Sequence, residues 1–138
     1  MFATGRCRLI DFPDHADARG RLVSIEGGTD VPFAIARIYY IVEADGSRRG
    51  FHAHRRLEQV MFCLNGSCRV LLDDGHQRDE VILDRPDRGL YVGPLIWREM
   101  NDFTPGSVFL VFASARFDEA DYLRDHDEFV ALAGEQGR

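Results

Sequence analysis

Lysine is absent from this chain of 138 residues, and all 17 basic residues are arginine. That excludes Schiff-base aldolase chemistry, a lysine-tethered pyridoxal phosphate and a lysine general base. It also removes the lysine with which a P-loop grips phosphates. Positive charge is short overall: 17 basic against 23 acidic residues leave a net −6 at pH 7, with an isoelectric point near 5.3. Such a chain has no broad basic face, so neither nucleic acid nor an anionic membrane is an expected partner. Cysteine is scarce, and Cys7, Cys63 and Cys68 are an odd number at no metal-like spacing. Two of them lie in apolar runs, where cysteine behaves as a small hydrophobe. No run reaches transmembrane length, and residues 1–10 lack the apolar centre of a signal peptide, so a reducing, cytoplasmic location is expected.

What is present suits a folded protein. With 45% hydrophobic and 11% aromatic residues the chain can bury one core, and its length fits a single domain over 1–138. Short β-branched and aromatic runs recur between turn signals at 8–12, 21–26, 34–42, 59–64, 68–72, 80–83, 89–92 and 108–113. Even spacing of this kind predicts an all-β fold, a small antiparallel barrel or jelly roll with its core over about 8–115. The clearest hairpin signal is QVMFCLNGSCRVLLDDG, with Asn65-Gly66 expected as a type I′ turn. A slip of one residue there would turn Met61 and Cys63 inward and Val60, Phe62 and Leu64 outward, so the register should be firm. From Asp118 the spacing of Tyr122, Leu123, Phe129, Val130 and Leu132 predicts a short helical tail over 118–134. Asp118 or Asp121 is its expected N-cap and Gly134 its stop.

The chemistry concentrates in Arg48-Arg49-Gly50-Phe51-His52-Ala53-His54. On a strand, side chains alternate, so His52 and His54 share a face. Two imidazoles on an inner wall can bind a metal or act as an acid–base pair. HxH followed by Glu58 is the first half of a metal-cupin signature, and the second half falls in GLYVGPLIWREMNDF, where Arg98 stands in place of the completing histidine. A guanidinium has no lone pair to donate and repels a divalent cation. The pattern therefore favours a metal-free, arginine-lined barrel for an anionic substrate, with no cofactor. Glu58 is expected to orient a histidine or pair with an arginine. Trp97, Cys63 and Cys68 read as packing, and His15, His76 and His126 as solvated.

The stretches DARGRLVSIEG, VPFAIARIYYIV, RRGFHAHRRLEQVMFCLNGSCRVLLDDG, GLYVGPLIWREMNDF and FDEADYLRDHDEF, in that order, resemble the WxcM/FdtA-like cupins. These are sugar 3,4-ketoisomerases acting on dTDP-4-keto-6-deoxyglucose. The resemblance covers nearly the whole chain and is most specific in RGFHAH, the LNGS turn and GLYVGPLIWREM. It implies an RmlC-like cupin fold and a metal-independent homodimer, and edge strands offer a route to such pairing. It also implies transfer of the ketone from C4 to C3 in deoxyamino-sugar biosynthesis. Carried over by motif, His52 is the proton-abstracting base, His54 a donor or relay, and Tyr39 the active-site tyrosine. Arg19 and Arg98 fall at positions that differ between branches making galacto- and gluco-configured products. Arg37 and Arg49 are the expected diphosphate ligands, each lying in a matched motif. Two further classes fit the residues alone: a non-catalytic nucleotide-sugar-binding cupin and a metal-dependent cupin enzyme.

Overall fold

The computed structural model describes residues 5–136. In chain order the strands are β1 (Cys7–Asp11), β2 (Asp14–Asp17), β3 (Gly20–Val23), β4 (Arg37–Val42), β5 (Arg49–His54) and β6 (Gln59–Asn65). There follow β7 (Cys68–Asp73), β8 (Arg78–Leu83), β9 (Arg88–Val92), β10 (Trp97–Asn101), β11 (Val108–Ala113) and β12 (Tyr122–Leu123), and then helix α1 (His126–Gln136). One five-stranded sheet has the order β1-β9-β6-β11-β4, a second has β12-β5-β10-β7-β8, and β2 and β3 form a separate ribbon. Met61, Leu90 and Val111 of the first sheet pack against Val70, Leu72 and Met100 of the second, which makes a two-layer jelly roll. Among the described residues no ladder joins the two large sheets, so the expected barrel is an open sandwich.

All eight predicted runs carry strands, but the predicted hairpin is corrected. β6 pairs with β9 and β11, whereas β7 pairs with β8 and β10. The Asn65-Gly66 segment is thus a crossing between the two layers. Gly66 has φ +72° while Asn65 keeps a negative φ, so the turn is not type I′. A Cβ on Gly66 would stand 2.6 Å from Thr104 Oγ1, which gives glycine a second reason to be there. The expected register is reversed: the residues of β6 that face the second sheet are Met61 and Cys63, and Leu64 is exposed. Val60 and Phe62 are buried on its other face against Phe12, Val31 and Phe33, which is why β6 reads as continuously apolar rather than alternating.

The tail also departs from expectation. Asp118 caps a single 3₁₀ turn, Glu119–Asp121, by accepting the Ala120 amide. Tyr122 and Leu123 pair with His54 and Ala53 as strand β12. Helix α1 starts only at His126, where Asp125 accepts the Glu128 amide, and Gly134 lies inside the helix. Phe129 and Ala133 of α1 bury against Ala53 and Trp97 on the outside of the second sheet. His126 is not simply solvated, because its Nε2 lies 2.9 Å from the buried Asp73 carboxylate.

Candidate active site

Strand β4 supplies the first wall. Its exposure alternates, with Arg37, Tyr39 and Ile41 inward and Ile38, Tyr40 and Val42 outward, so Tyr39 is the inner tyrosine. Opposite, β5 and β10 pair with Arg98 against His52, and the register shifts between Arg98 and Glu99. The irregularity is carried by Gly50 (φ +91°) and Phe51 (φ +57°). A Cβ on Gly50 would come within 2.8 Å of the Arg98 carbonyl oxygen. Only glycine tolerates both the left-handed backbone and this approach.

That turn of backbone also sets the tautomer of His52. Its Nδ1 lies 3.0 Å from the Gly50 carbonyl oxygen. A carbonyl only accepts, so Nδ1 carries the proton and Nε2 keeps its lone pair. Burial first, and then the charge of Arg98, lower the pKa of His52 to about 4 and that of His54 to about 2. Both rings are therefore neutral at pH 7. They stand edge to face at 4.9 Å, with Tyr122 wedged against them at 5.0 Å from His52 and 4.3 Å from His54. Asp121 lies 3.5 Å from His54 Nδ1, too far for a good hydrogen bond. Its carboxylate instead accepts the Arg56 and Leu57 amides at 2.9 and 3.1 Å. Neither His54 nitrogen has a hydrogen-bond partner in the protein.

Arg98 is 1% exposed, the largest side chain buried to that degree. Its Nε donates to the Ile96 carbonyl (3.2 Å) and its Nη1 to Gln59 Oε1, while Nη2 has no partner. The Gln59 amide nitrogen is 3.1 Å from the Tyr39 hydroxyl oxygen. A cavity of about 450 Å³ opens beside this group, lined by Arg37, Tyr39, Arg48, Arg49, His52 and Arg124 among others. A smaller one of about 100 Å³ lies across Tyr122 and includes Arg37, His54, Arg56, Arg116 and Phe117. The two histidines thus face different compartments with Tyr122 between them.

The structure therefore brings together His52, His54, Tyr39, Arg37, Arg49 and Arg98. Arg19 stands apart at the tip of the β2–β3 ribbon, 91% exposed and paired with Asp17 at 2.7 Å, and it lines neither cavity. Glu58 turns away from the histidines and accepts the Tyr91 hydroxyl at 2.6 Å. Among the described residues no three His, Cys, Asp or Glu side chains are placed to share an ion. Sequence reasoning missed Gln59, Asp121, Tyr122 and Arg124. A two-residue strand such as β12 is too short to carry a period, so nothing local marked Tyr122 as a wall of the site.

The family model described as FdtA, WxcM-like, C-terminal, matches residues 5–134. The chain belongs to this family. A curated relative, the TDP-4-oxo-6-deoxy-alpha-D-glucose-3,4-oxoisomerase of Aneurinibacillus thermoaerophilus, is 53% identical over 123 residues, which is 88% of each chain. Among solved structures, a double mutant of the QdtA 3,4-ketoisomerase from Thermoanaerobacterium thermosaccharolyticum in complex with TDP superposes with a TM-score of 0.94. It is 46% identical, over 96% of this chain and 97% of that one. A histidine-to-asparagine mutant of the same enzyme, in complex with TDP-4-keto-6-deoxyglucose, gives a TM-score of 0.92 at 45% identity over the same shares of the two chains. Likeness to FdtA-family proteins thus extends over both sheets and the C-terminal helix.

Proposed function

We propose that the protein is a sugar 3,4-ketoisomerase that moves the ketone of a TDP-linked 4-keto-6-deoxyhexose from C4 to C3. One observation carries the reading: His52, its Nδ1 proton committed to Gly50, presents an unprotonated Nε2 to a cavity ringed by arginines. The C3 hydrogen is acidic because its conjugate base spreads charge onto the C4 oxygen. His52 Nε2 takes that proton, and the C3–H electron pair becomes the C3–C4 double bond of an enediolate. A proton then arrives at C4 and another at the C4 oxygen, while the C3 hydroxyl gives one up, leaving a ketone at C3 and a hydroxyl at C4. Overall no atom is gained or lost, and no oxidant is consumed.

The remaining residues divide the work. Tyr39, which lines the cavity, is the donor for the enediolate oxygens in a water-poor site, and Arg98, buried behind it, adds positive charge without touching the sugar. His54, held neutral, passes a proton on as one arrives, acting as a relay rather than a standing acid. Arg37 and Arg49, with Arg48 and Arg124 beside them, take the diphosphate, whose oxygens suit the planar guanidinium fork. The working unit is one cupin-type domain in a cytoplasmic homodimer. The outer face of the first sheet supports pairing, since Ile38, Tyr40, Val42 and Leu64 are 57, 66, 48 and 51% exposed there. Because Arg19 lines neither cavity of its own chain, a substrate role for it requires the second copy. Among the described residues no helix is long and apolar enough to cross a membrane.

The test is incubation with TDP-4-keto-6-deoxyglucose in D₂O without added metal, followed by NMR. A 3-keto product carrying deuterium is the expected result. Binding without conversion would favour the nucleotide-sugar-binding alternative, and conversion only with an added divalent ion would favour the metal-dependent one.

A further inference from the structure

We infer that Gln59 is a positioning residue that fixes the direction of the Tyr39 hydroxyl proton, so that Tyr39 can act on the substrate only as a donor. This deepens the isomerase reading and rests on it. Arg98 has donors and no acceptor, so the Gln59 atom that meets its Nη1 must be the amide oxygen. The other end of the amide is then the NH₂ group, which can only donate. It lies 3.1 Å from the Tyr39 hydroxyl oxygen, so that oxygen accepts and its own proton must point elsewhere. The space left to it is the cavity that Tyr39 shares with His52.

The fold builds this chain of three from both layers. Arg98 comes from β10 of the second sheet, while Gln59 and Tyr39 come from β6 and β4, which flank β11 in the first. Gln59 faces Ala113 of β11 in register, and Ala113 faces Arg37 of β4. A small side chain at that central place leaves room for the amide to reach across to Tyr39. Gln59 and Arg98 are each 1% exposed, so water does not compete for either bond. Burial also raises the Tyr39 pKa above its ordinary value, which keeps the phenol protonated at neutral pH. The consequence is chemical: Tyr39 stabilises negative charge on a sugar oxygen and does not remove a proton, which leaves proton abstraction to His52.

Gln59→Glu tests the polarity with almost no change of shape. The carboxylate still accepts from Arg98, but its second oxygen cannot donate, so Tyr39 must turn its proton toward it and away from the substrate. On TDP-4-keto-6-deoxyglucose, Gln59→Glu and Tyr39→Phe should each lower kcat by about 10²-fold at little-changed KM. The double variant should fall no further than the worse single one, because both remove the same donor. Gln59→Met, which frees the hydroxyl to rotate without capturing its proton, should lose less than Gln59→Glu. It should also be non-additive with Tyr39→Phe, and it carries the same cross if the Glu variant does not fold. Wild-type kcat in Gln59→Glu, a Met variant worse than the Glu variant, or losses that multiply with Tyr39→Phe would overturn the inference. Wild-type protein run alongside separates the two levels: no turnover there sinks the isomerase reading and this inference with it, whereas turnover with multiplying losses sinks this inference alone.

Discussion

The pairing of β6 with β11 has two different ends. At one, Gln59 faces Ala113; at the other, Cys63 faces Phe109. All four residues are buried, and one ladder holds them. At the Phe109 end the space between the sheets is filled by Cys68, Val70, Phe103 and Phe109, the two phenylalanines meeting edge to face at 5.9 Å. At the Ala113 end the small side chain leaves room, and Arg98, Gln59 and Tyr39 occupy it with a charge and a string of polar groups. One end lowers the energy of the fold. The other is paid for by it, since a buried guanidinium with an unpartnered nitrogen loses hydration that nothing in the protein fully restores.

The largest effects should separate cleanly by end. His52→Asn should lower kcat by about 10²–10⁴-fold while leaving the melting temperature nearly unchanged, which turnover and thermal melts on one sample would check. Phe109→Ala should do the reverse. It should cost about 3–5 kcal/mol in denaturant melts and leave kcat per folded molecule at the wild-type level. If Phe109→Ala lowered kcat of the folded fraction as His52→Asn does, the two ends would not be separable. Arg98→Met sharpens the contrast: stability should hold or rise, by up to about 4 kcal/mol, although turnover is lost. Clear destabilisation by that variant would place Arg98 among the residues that hold the fold.

A smaller effect follows from protons. His52 and His54 have pKa values of about 4 and about 2 in the folded protein, below the unfolded histidine value of about 6.5. Between those limits the unfolded chain binds more protons than the native one, so stability rises with pH there. The contribution is complete above about pH 6.5 and shrinks as pH falls toward 4, through the His52 value. Urea melts at pH 7 and pH 5 should show that slope, and His54→Gln should flatten it. The cost of Phe109→Ala should be the same at both pH values, because no histidine lies at its end. A wild-type slope that survives replacement of either histidine would assign the acid sensitivity to other groups.

The two ends were unequally legible. The apolar end is written in runs such as 59–64 and 108–113, whose β-branched and aromatic content announces strands whatever their partners. Which strands pair was not legible, and Asn65-Gly66 shows why. A short turn between two apolar runs suits a hairpin and a crossing between layers equally well, and only the packing of Val60 and Phe62 beneath residues 12–33 decides it. At the polar end, His52 and His54 could be read because alternation puts them on one face, whereas Tyr39 was told from Tyr40 only by the resemblance to the WxcM/FdtA-like cupins. Gln59 could not, because nothing at position 59 announces that its neighbours in space are an arginine 39 residues away and a tyrosine 20 residues away. Arg98 was legible as a residue that disfavours a metal, and its near-complete burial was not. In the tail, the helical spacing of 122–132 was outweighed by the pairing of Tyr122 with His54, which begins the helix only after the strand has ended.

That pairing has a consequence for how the enzyme comes into being. Tyr122, the partition between the two compartments, belongs to a segment that leaves the ribosome long after both histidines, and Phe129 of the following helix anchors it from outside. A nascent chain can assemble most of its sandwich and still lack the pocket's final panel. Catalytic competence thus waits on a stretch translated well after the histidines, and a protease cut ahead of Asp118 would silence the enzyme while leaving the two layers largely standing.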